Sequence, residues 1–137
     1  MTAIDTNILI YAISNEYPHK KEIAQKLIKE IFEGRKTGVV TNQILAEFAR
    51  VALYKLEKPL SKEQVQAIIG SILTSANWSV FNYNGKTVLH TVQSASESFW
   101  DSLIAETLKE NKVENIITEN TKDFAATGLK TLNPFAK

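Results

Sequence analysis

Short β-rich runs alternate with longer helical runs along the whole chain, and few architectures accept that order. The opening Met1-Thr2-Ala3-Ile4 reads as a strand that ends at Asp5, and a short helix follows to about Ile13. From about Tyr17 to Glu33 a second helix carries Ile23, Leu27, Ile31 and Phe32 on one side, with Lys20, Lys21, Lys26 and Lys29 elsewhere. Gly34 and Gly38 bracket a turn into a strand from Gly38 to Thr41. A helix from Asn42 to about Leu56 stops before Lys58-Pro59, because the residue ahead of a proline avoids helical backbone. Ser61-Lys62-Glu63-Gln64 has the form of a capping box for a helix to about Thr74. Trp78 to Phe81 alternates like a strand, and helices from about Gly85 to Ala95 and Phe99 to Glu110 follow. Val113 to Thr118 is the last clear strand, with an edge strand near Leu129 to Leu132.

Connections of this length between strands predict a parallel sheet covered by helices on both faces, an α/β architecture. At 137 residues the chain suits one domain spanning residues 1–137. Ligands of such open sheets bind beyond the carboxyl ends of the strands, where Asp5, Asn120 and Asp123 fall. The net charge of +1 neither demands nor excludes a nucleic-acid partner, since a local basic patch acts where the total does not. The absence of cysteine removes thiol nucleophiles, disulfides and thiolate zinc sites together. No apolar run approaches the roughly 20 residues that span a bilayer, and Asp5 interrupts the only stretch resembling a leader, so a cytoplasmic protein is expected.

Four acids then call for a reason: Asp5, Glu47, Asp101 and Asp123. Asp101 falls beside Ile104, Ala105 and Leu108 on a helical projection, with Glu106, Lys109 and Glu110 opposite. A carboxylate on a core-facing stripe is costly unless paired. The plainer explanation is a capping box formed by Ser98-Phe99-Trp100-Asp101, and on these residues alone the two stand level. Glu47 borders the apolar face of its helix near Ile44 and Val51, where a stem packs and a head reaches water. Asp5 suits a helix cap, a role for which Thr6 competes, and Asn120-Thr121-Lys122-Asp123 suits a helix start. Taken together, acids at strand and helix ends repel one another unless a divalent cation neutralises them. Hard-oxygen metal sites of this kind usually act on phosphates.

The same residues carry a family resemblance. Ile4-Asp5-Thr6-Asn7-Ile8-Leu9-Ile10 resembles the first motif of PIN-domain ribonucleases, and Thr41-Asn42-Gln43-Ile44-Leu45-Ala46-Glu47-Phe48 the second. Ser98-Phe99-Trp100-Asp101-Ser102-Leu103-Ile104-Ala105 is similar to the third, and Ile116-Ile117-Thr118-Glu119-Asn120-Thr121-Lys122-Asp123-Phe124 to the fourth. The layout looks most like the VapC-type toxins of toxin–antitoxin pairs. The resemblance implies a three-layer α/β/α sandwich around a parallel sheet, with an acidic pocket for Mg²⁺ or Mn²⁺. By position Asp5 and Asp101 are its principal metal ligands and catalytic residues, and Glu47 and Asp123 complete it. Thr6, Asn7, Thr118 and Asn120 are the hydrogen bonders that orient them. The implied activity is cleavage of RNA by water attack, leaving 5′-phosphate and 3′-hydroxyl ends. The implied partners are an antitoxin and a second copy of the chain. Two positions depart from the pattern: Asn120 stands where many relatives carry aspartate, and Glu119 where a basic residue is common.

Other readings explain less. His19 and His90 lack the spacing of a catalytic or metal-binding pair. Asn84-Gly85-Lys86-Thr87 ends like a phosphate loop, but Val80 stands where its first glycine belongs, so it reads as a helix start. A receiver domain needs paired acids after the first strand and an aspartate after a middle one; Asp5 has no acidic neighbour and Phe81-Asn82 supplies none. An RNA-processing nuclease without an antitoxin, or a PIN-like module that binds without cutting, stays open. The lysine-rich helix with Lys20, Lys21, Lys26 and Lys29 reads first as a solvated face, and Arg50 and Lys55 share the Glu47 helix. Tyr54, Leu56 and Ile72 are the residues expected to be exposed for a protein interface.

Overall fold

A computed structural model describes residues 1–136. Five strands, β1 (Thr2–Ile4), β2 (Gly38–Thr41), β3 (Trp78–Phe81), β4 (Asn115–Ile117) and β5 (Lys130–Leu132), form one sheet in the order β3-β2-β1-β4-β5. Every pairing is parallel, so the expected α/β sandwich with a parallel sheet is what the chain forms. Helices α1 (Thr6–Ile13), α2 (Pro18–Phe32), α3 (Asn42–Tyr54), α4 (Lys62–Thr74), α5 (Gly85–Ser94), α6 (Phe99–Glu110) and α7 (Thr121–Ala125) connect the strands.

The central strands are apolar because both of their faces are covered: Ala3, Ile4, Val39, Val40 and Ile116 are fully buried. Ile8, Phe48, Ile72 and Leu108 pack against them from the helices. β2 starts at Gly38 for a steric reason. A Cβ there would stand 2.9 Å from Ile31 Cδ1 and from the Trp78 ring, too close for any other residue.

Local chemistry sets the boundaries much as the sequence suggests. Ser61 and Gln64 form the reciprocal capping box of α4, and Asn84 and Thr87 form one for α5, which confirms Asn84-Gly85-Lys86-Thr87 as a helix start. At α6 the expected box is half made: Ser98 Oγ accepts from the Asp101 N–H at 3.3 Å. The Asp101 carboxylate is not returned to the cap, so capping alone does not account for it.

One expectation fails. Ile72 is 1% exposed and belongs to the core, because α4 lays Val65 and Ile72, two turns apart, against the sheet side. Tyr54 is 70% exposed and Leu56 half-buried, while Leu73 shows its side chain to solvent in place of Ile72.

Candidate active site

The strand order reverses direction of growth at β1: β2 and β3 build outward on one side, β4 and β5 on the other. Crevices form at such switch points, outside the carboxyl ends of the strands. Ile4 and Ile117 are register partners, so Asp5 and Thr118, the next residues along, emerge side by side. That register explains the shortest contact of the site: the Thr118 hydroxyl donates to Asp5 Oδ2 at 2.7 Å.

Asp5 is 6% exposed and is the N-cap of α1. Its Oδ1 accepts from the Thr6 N–H at 2.8 Å, and Asn7 Nδ2 donates to Oδ2 at 3.4 Å. Thr6 therefore does not take the cap. Burial pushes the Asp5 carboxyl up to about 6, against the pull of the Thr118 and Thr6 hydrogen bonds, and the charges of Asp101 and Glu47 push the same way as burial. Asp101 is half-buried and also raised, first by burial, with the Ser98 hydroxyl opposing and the charge of Asp123 adding.

Glu47 and Asp101 act on Asp5 through their charge, and Asp123 acts on Asp101 in the same way. Each comes from a different segment: α3, the end of β1, α6 and α7. Thr6 links Asp5 to Glu47, its N–H donating to Asp5 Oδ1 and its hydroxyl lying 3.4 Å from both Glu47 Oε2 and the Ile44 carbonyl. Asp123 lies exposed in the first turn of α7. Among the described residues, no three acids or histidines stand close enough to form a tight, preformed cation cage.

The donor set nevertheless suits a hard cation. Mg²⁺ and Mn²⁺ take oxygen ligands and Mg²⁺ keeps several of its waters, so a site of one or two direct carboxylates is its usual protein contribution. The soft or imidazole ligands that favour zinc or copper are missing, since the chain has no cysteine and His90 lies away beside Glu110, 3.5 Å from its Oε1. His19 is exposed on α2.

Thr6, Asn7 and Thr118 thus contact the acids directly. Asn7 also donates to Thr118 Oγ1 at 3.3 Å and accepts the Glu119 N–H on its Oδ1 at 3.3 Å. Asn120 does not contact an acid through its side chain within hydrogen-bonding geometry; its N–H donates to Thr118 Oγ1 at 3.0 Å and its side chain leaves α7 uncapped. Thr118 is the hub, and one hydroxyl gathers β1, α1 and the β4–α7 turn.

Two contacts around this cluster were not foreseen from the sequence. Glu119 pairs with Lys20 and accepts the Tyr11 hydroxyl, and Lys20 Nζ sits 4.8 Å from the Tyr11 ring centre and 5.6 Å from that of Phe135. Lys20 is therefore not part of a bare solvated face, although Lys26 and Lys29 are exposed. Gln43 and Trp100 also join the site's edge, where Gln43 Nε2 donates to the Trp100 carbonyl at 2.9 Å. Glu119 beside a basic helix was a readable hint; the Gln43–Trp100 bond had none.

Compared with known families, residues 2–122 match the model of the PIN domain. The chain belongs to the PIN-domain family. This PIN domain also superimposes on several solved structures. Against the FitAB complex bound to an IR36 DNA fragment the TM-score is 0.72, at 16% identity over 100% of this chain and 97% of that one. VapC20 of Mycobacterium tuberculosis, a sarcin–ricin loop cleaving toxin, gives 0.68 at 11% identity, covering 92% and 95%. VapBC-1 from nontypeable Haemophilus influenzae gives 0.61 at 23% identity, covering 98% of each. Identities this low establish the shared fold. No curated protein matches the sequence.

Proposed function

We propose that this chain is a metal-dependent endoribonuclease, one PIN domain that cleaves RNA by water attack and serves as the toxin of a toxin–antitoxin pair. Asp5, Glu47, Asp101 and Asp123 are its catalytic acids and hold Mg²⁺ or Mn²⁺ between them. The observation that carries the reading is Asp5, buried with its carboxyl raised to about 6 among the charges of two other acids from distant segments. An asparagine would cap α1 nearly as well without that cost, so the charge itself is what the site retains.

A bound divalent cation supplies charge neutralisation, an acidified water and stabilisation of the phosphate in the transition state. The chain's own residues prepare for it. Thr118 and Asn7 fix one oxygen of Asp5 and the Thr6 N–H fixes the other, which holds the carboxylate plane in one orientation. Glu47 is steadied by the Thr6 hydroxyl at the same time. Asp101 and Asp123 are more open to solvent than Asp5, where a phosphodiester would reach them. Attack by water on phosphorus with the 3′-oxygen as leaving group gives 5′-phosphate and 3′-hydroxyl ends, and the 2′-hydroxyl then serves recognition.

The antitoxin reading draws support from the neighbours, several of which are complexes of such pairs. It also draws support from a groove of about 440 Å³ lined by Leu9, Ile28, Phe32 and Ile68 on α1, α2 and α4. Apolar concavities of that kind accept an amphipathic helix. Exposed Tyr54 and Leu73 suit a second copy of the chain or the antitoxin. Among the described residues no helix is long and apolar enough to cross a membrane, and the proposed RNA target supports the reading that the chain works in the cytoplasm.

The test is cleavage of labelled RNA with Mg²⁺, with Mn²⁺ and with a chelator, on wild type and Asp101→Asn. Wild type is expected to cut with either cation and stop with the chelator, and the variant to keep its fold and lose cleavage. Wild-type rates from the variant in Mg²⁺ would sink the assignment.

A further inference from the structure

Beside Glu47 lies a cleft of about 500 Å³, within the range of small-ligand sites, lined by Asn42, Gln43, Ala46, Arg50, Tyr83 and Trp100. We propose that it is a base-binding subsite for single-stranded RNA, in which Trp100 stacks a nucleobase and Arg50 holds the adjoining phosphate. The inference rests on the ribonuclease reading above and adds where the substrate is gripped.

Three segments build the walls, and hydrogen bonds tie them together. Asn42 Oδ1 accepts from the N–H groups of Gln43 and Tyr83, both at 3.1 Å, which pins the turn after β3 to the start of α3. Gln43 Nε2 holds the Trp100 carbonyl at 2.9 Å, which pins the start of α6 to the same helix. Trp100 is 60% exposed, an expensive place for an indole unless something covers it. Glu47 itself lines the cleft and Asp101 follows Trp100 in the chain, so the cleft adjoins two of the four acids.

The chemistry matches an unpaired nucleotide better than a duplex or a protein. Unstacked bases are recognised on aromatic planes, and two aromatics, Trp100 and Tyr83, line the cleft. Arg50 is an exposed cation lining the same cleft as the acidic Glu47, placed to meet a phosphate beside that carboxylate while the base turns away. Gln43 is buried beneath the cleft, and its bond to the Trp100 carbonyl holds the indole-bearing turn in place.

Fluorescence reads the subsite without cleavage. The chain has two tryptophans, and Trp78 is buried, so in a Trp78→Phe background the emission reports Trp100. In chelator, a short oligouridylate should quench that emission, and an abasic ribose-phosphate oligomer should quench it far less. Trp100→Ala is expected to lose roughly five- to a hundredfold in affinity, the range that stacking one base commands, while Trp100→Phe recovers most of it. Arg50→Ala should weaken both oligomers and lower the salt slope by about one. If wild type cuts RNA and Trp100→Ala binds and cuts at the same positions equally well, the subsite is refuted and the nuclease reading stands. Trp100-dependent binding by a wild type that cuts nothing in Mg²⁺ or Mn²⁺ leaves the subsite standing and removes the nuclease. Should Trp100→Ala leave RNA affinity unchanged and turn a sedimenting dimer into a monomer, a second copy of the chain covers the indole and the subsite falls.

Discussion

The crevice at the carboxyl ends of β1 and β4 and the groove on α1, α2 and α4 lie on one small molecule, yet they are strained in opposite ways. In the crevice a buried carboxylate is surrounded by like charge and held by hydroxyl and amide donors. In the groove apolar side chains such as Ile28 and Phe32 face an open cavity of about 440 Å³ with little polar lining. The crevice costs stability through charge, and its cost depends on pH and on cations. The groove costs stability through exposed apolar surface, and neither pH nor Mg²⁺ relieves it. Two kinds of unmet demand on one fold point to two different kinds of ligand.

The largest effect that tests this contrast is on catalysis. Asp5→Asn and Asp101→Asn should each lower the rate of RNA cleavage by at least about a hundredfold, the scale on which losing one electrostatic stabiliser acts. A groove substitution, Phe32→Glu, should leave that rate within about twofold while weakening antitoxin binding by roughly 2 kcal/mol or more, the cost of truncating a central anchor. Single-turnover cleavage and calorimetric titration with a cognate antitoxin separate the two. A groove variant that stops cutting would erase the distinction.

Next in size is stability without metal. Asp5→Asn should stabilise the folded chain by up to roughly 3 kcal/mol at neutral pH, because it removes a charge that burial opposes. Denaturant unfolding in chelator measures it, and added Mg²⁺ should stabilise wild type and leave the variant unmoved. A destabilised variant would mean that the carboxylate holds the fold rather than a ligand.

The pH dependence sharpens the same point. Between 3.8 and about 6 the folded protein keeps a proton on Asp5 that the unfolded chain has released. The Asp5 contribution is therefore fully present below 3.8 and lost as pH rises through about 6, and Asp101 works in the same direction. Glu119 is lowered instead, with Lys20 and Tyr11 as the favourable causes, so its smaller contribution has the opposite sign. Melting curves of wild type and Asp5→Asn in chelator should coincide near pH 3.5 and separate above about 6. Curves that run parallel across that range would contradict the burial of the acid.

The smallest effect is expected at the Lys20–Glu119 pair. Lys20→Ala should cost about 1 kcal/mol or less, since both side chains keep access to water. A larger loss would make the aromatic cluster around Lys20 part of the core.

Much of this was legible along the chain. β2 and β3 have the expected bounds, and the caps at Ser61 and Asn84 form as their residue types require. Such features depend on neighbours a few residues apart. Ile72 was misplaced because the rotation of α4 about its axis is set by what it packs against, and periodicity alone left its buried side open. Trp100 shows the same limit: on a helical projection it falls among Leu103, Ile104 and Thr107, yet it is 60% exposed and lines a cleft.

By itself the sequence determined the alternation of strands and helices and the places where they begin and end. Those are matters of backbone preference, capping and apolar period, all settled within a turn or two of chain. Only the tertiary structure decided that Thr118 would stand beside Asp5, that Glu47 and Asp101 would press on the same carboxylate, and that Gln43 would tie Trp100 to the cleft. These contacts join residues 41 to 113 positions apart, and they arise from the pairing of β1 with β4 and the packing of α3 and α6 over the strand ends. Strand register, a property of two segments at once, is what turns scattered acids into a site.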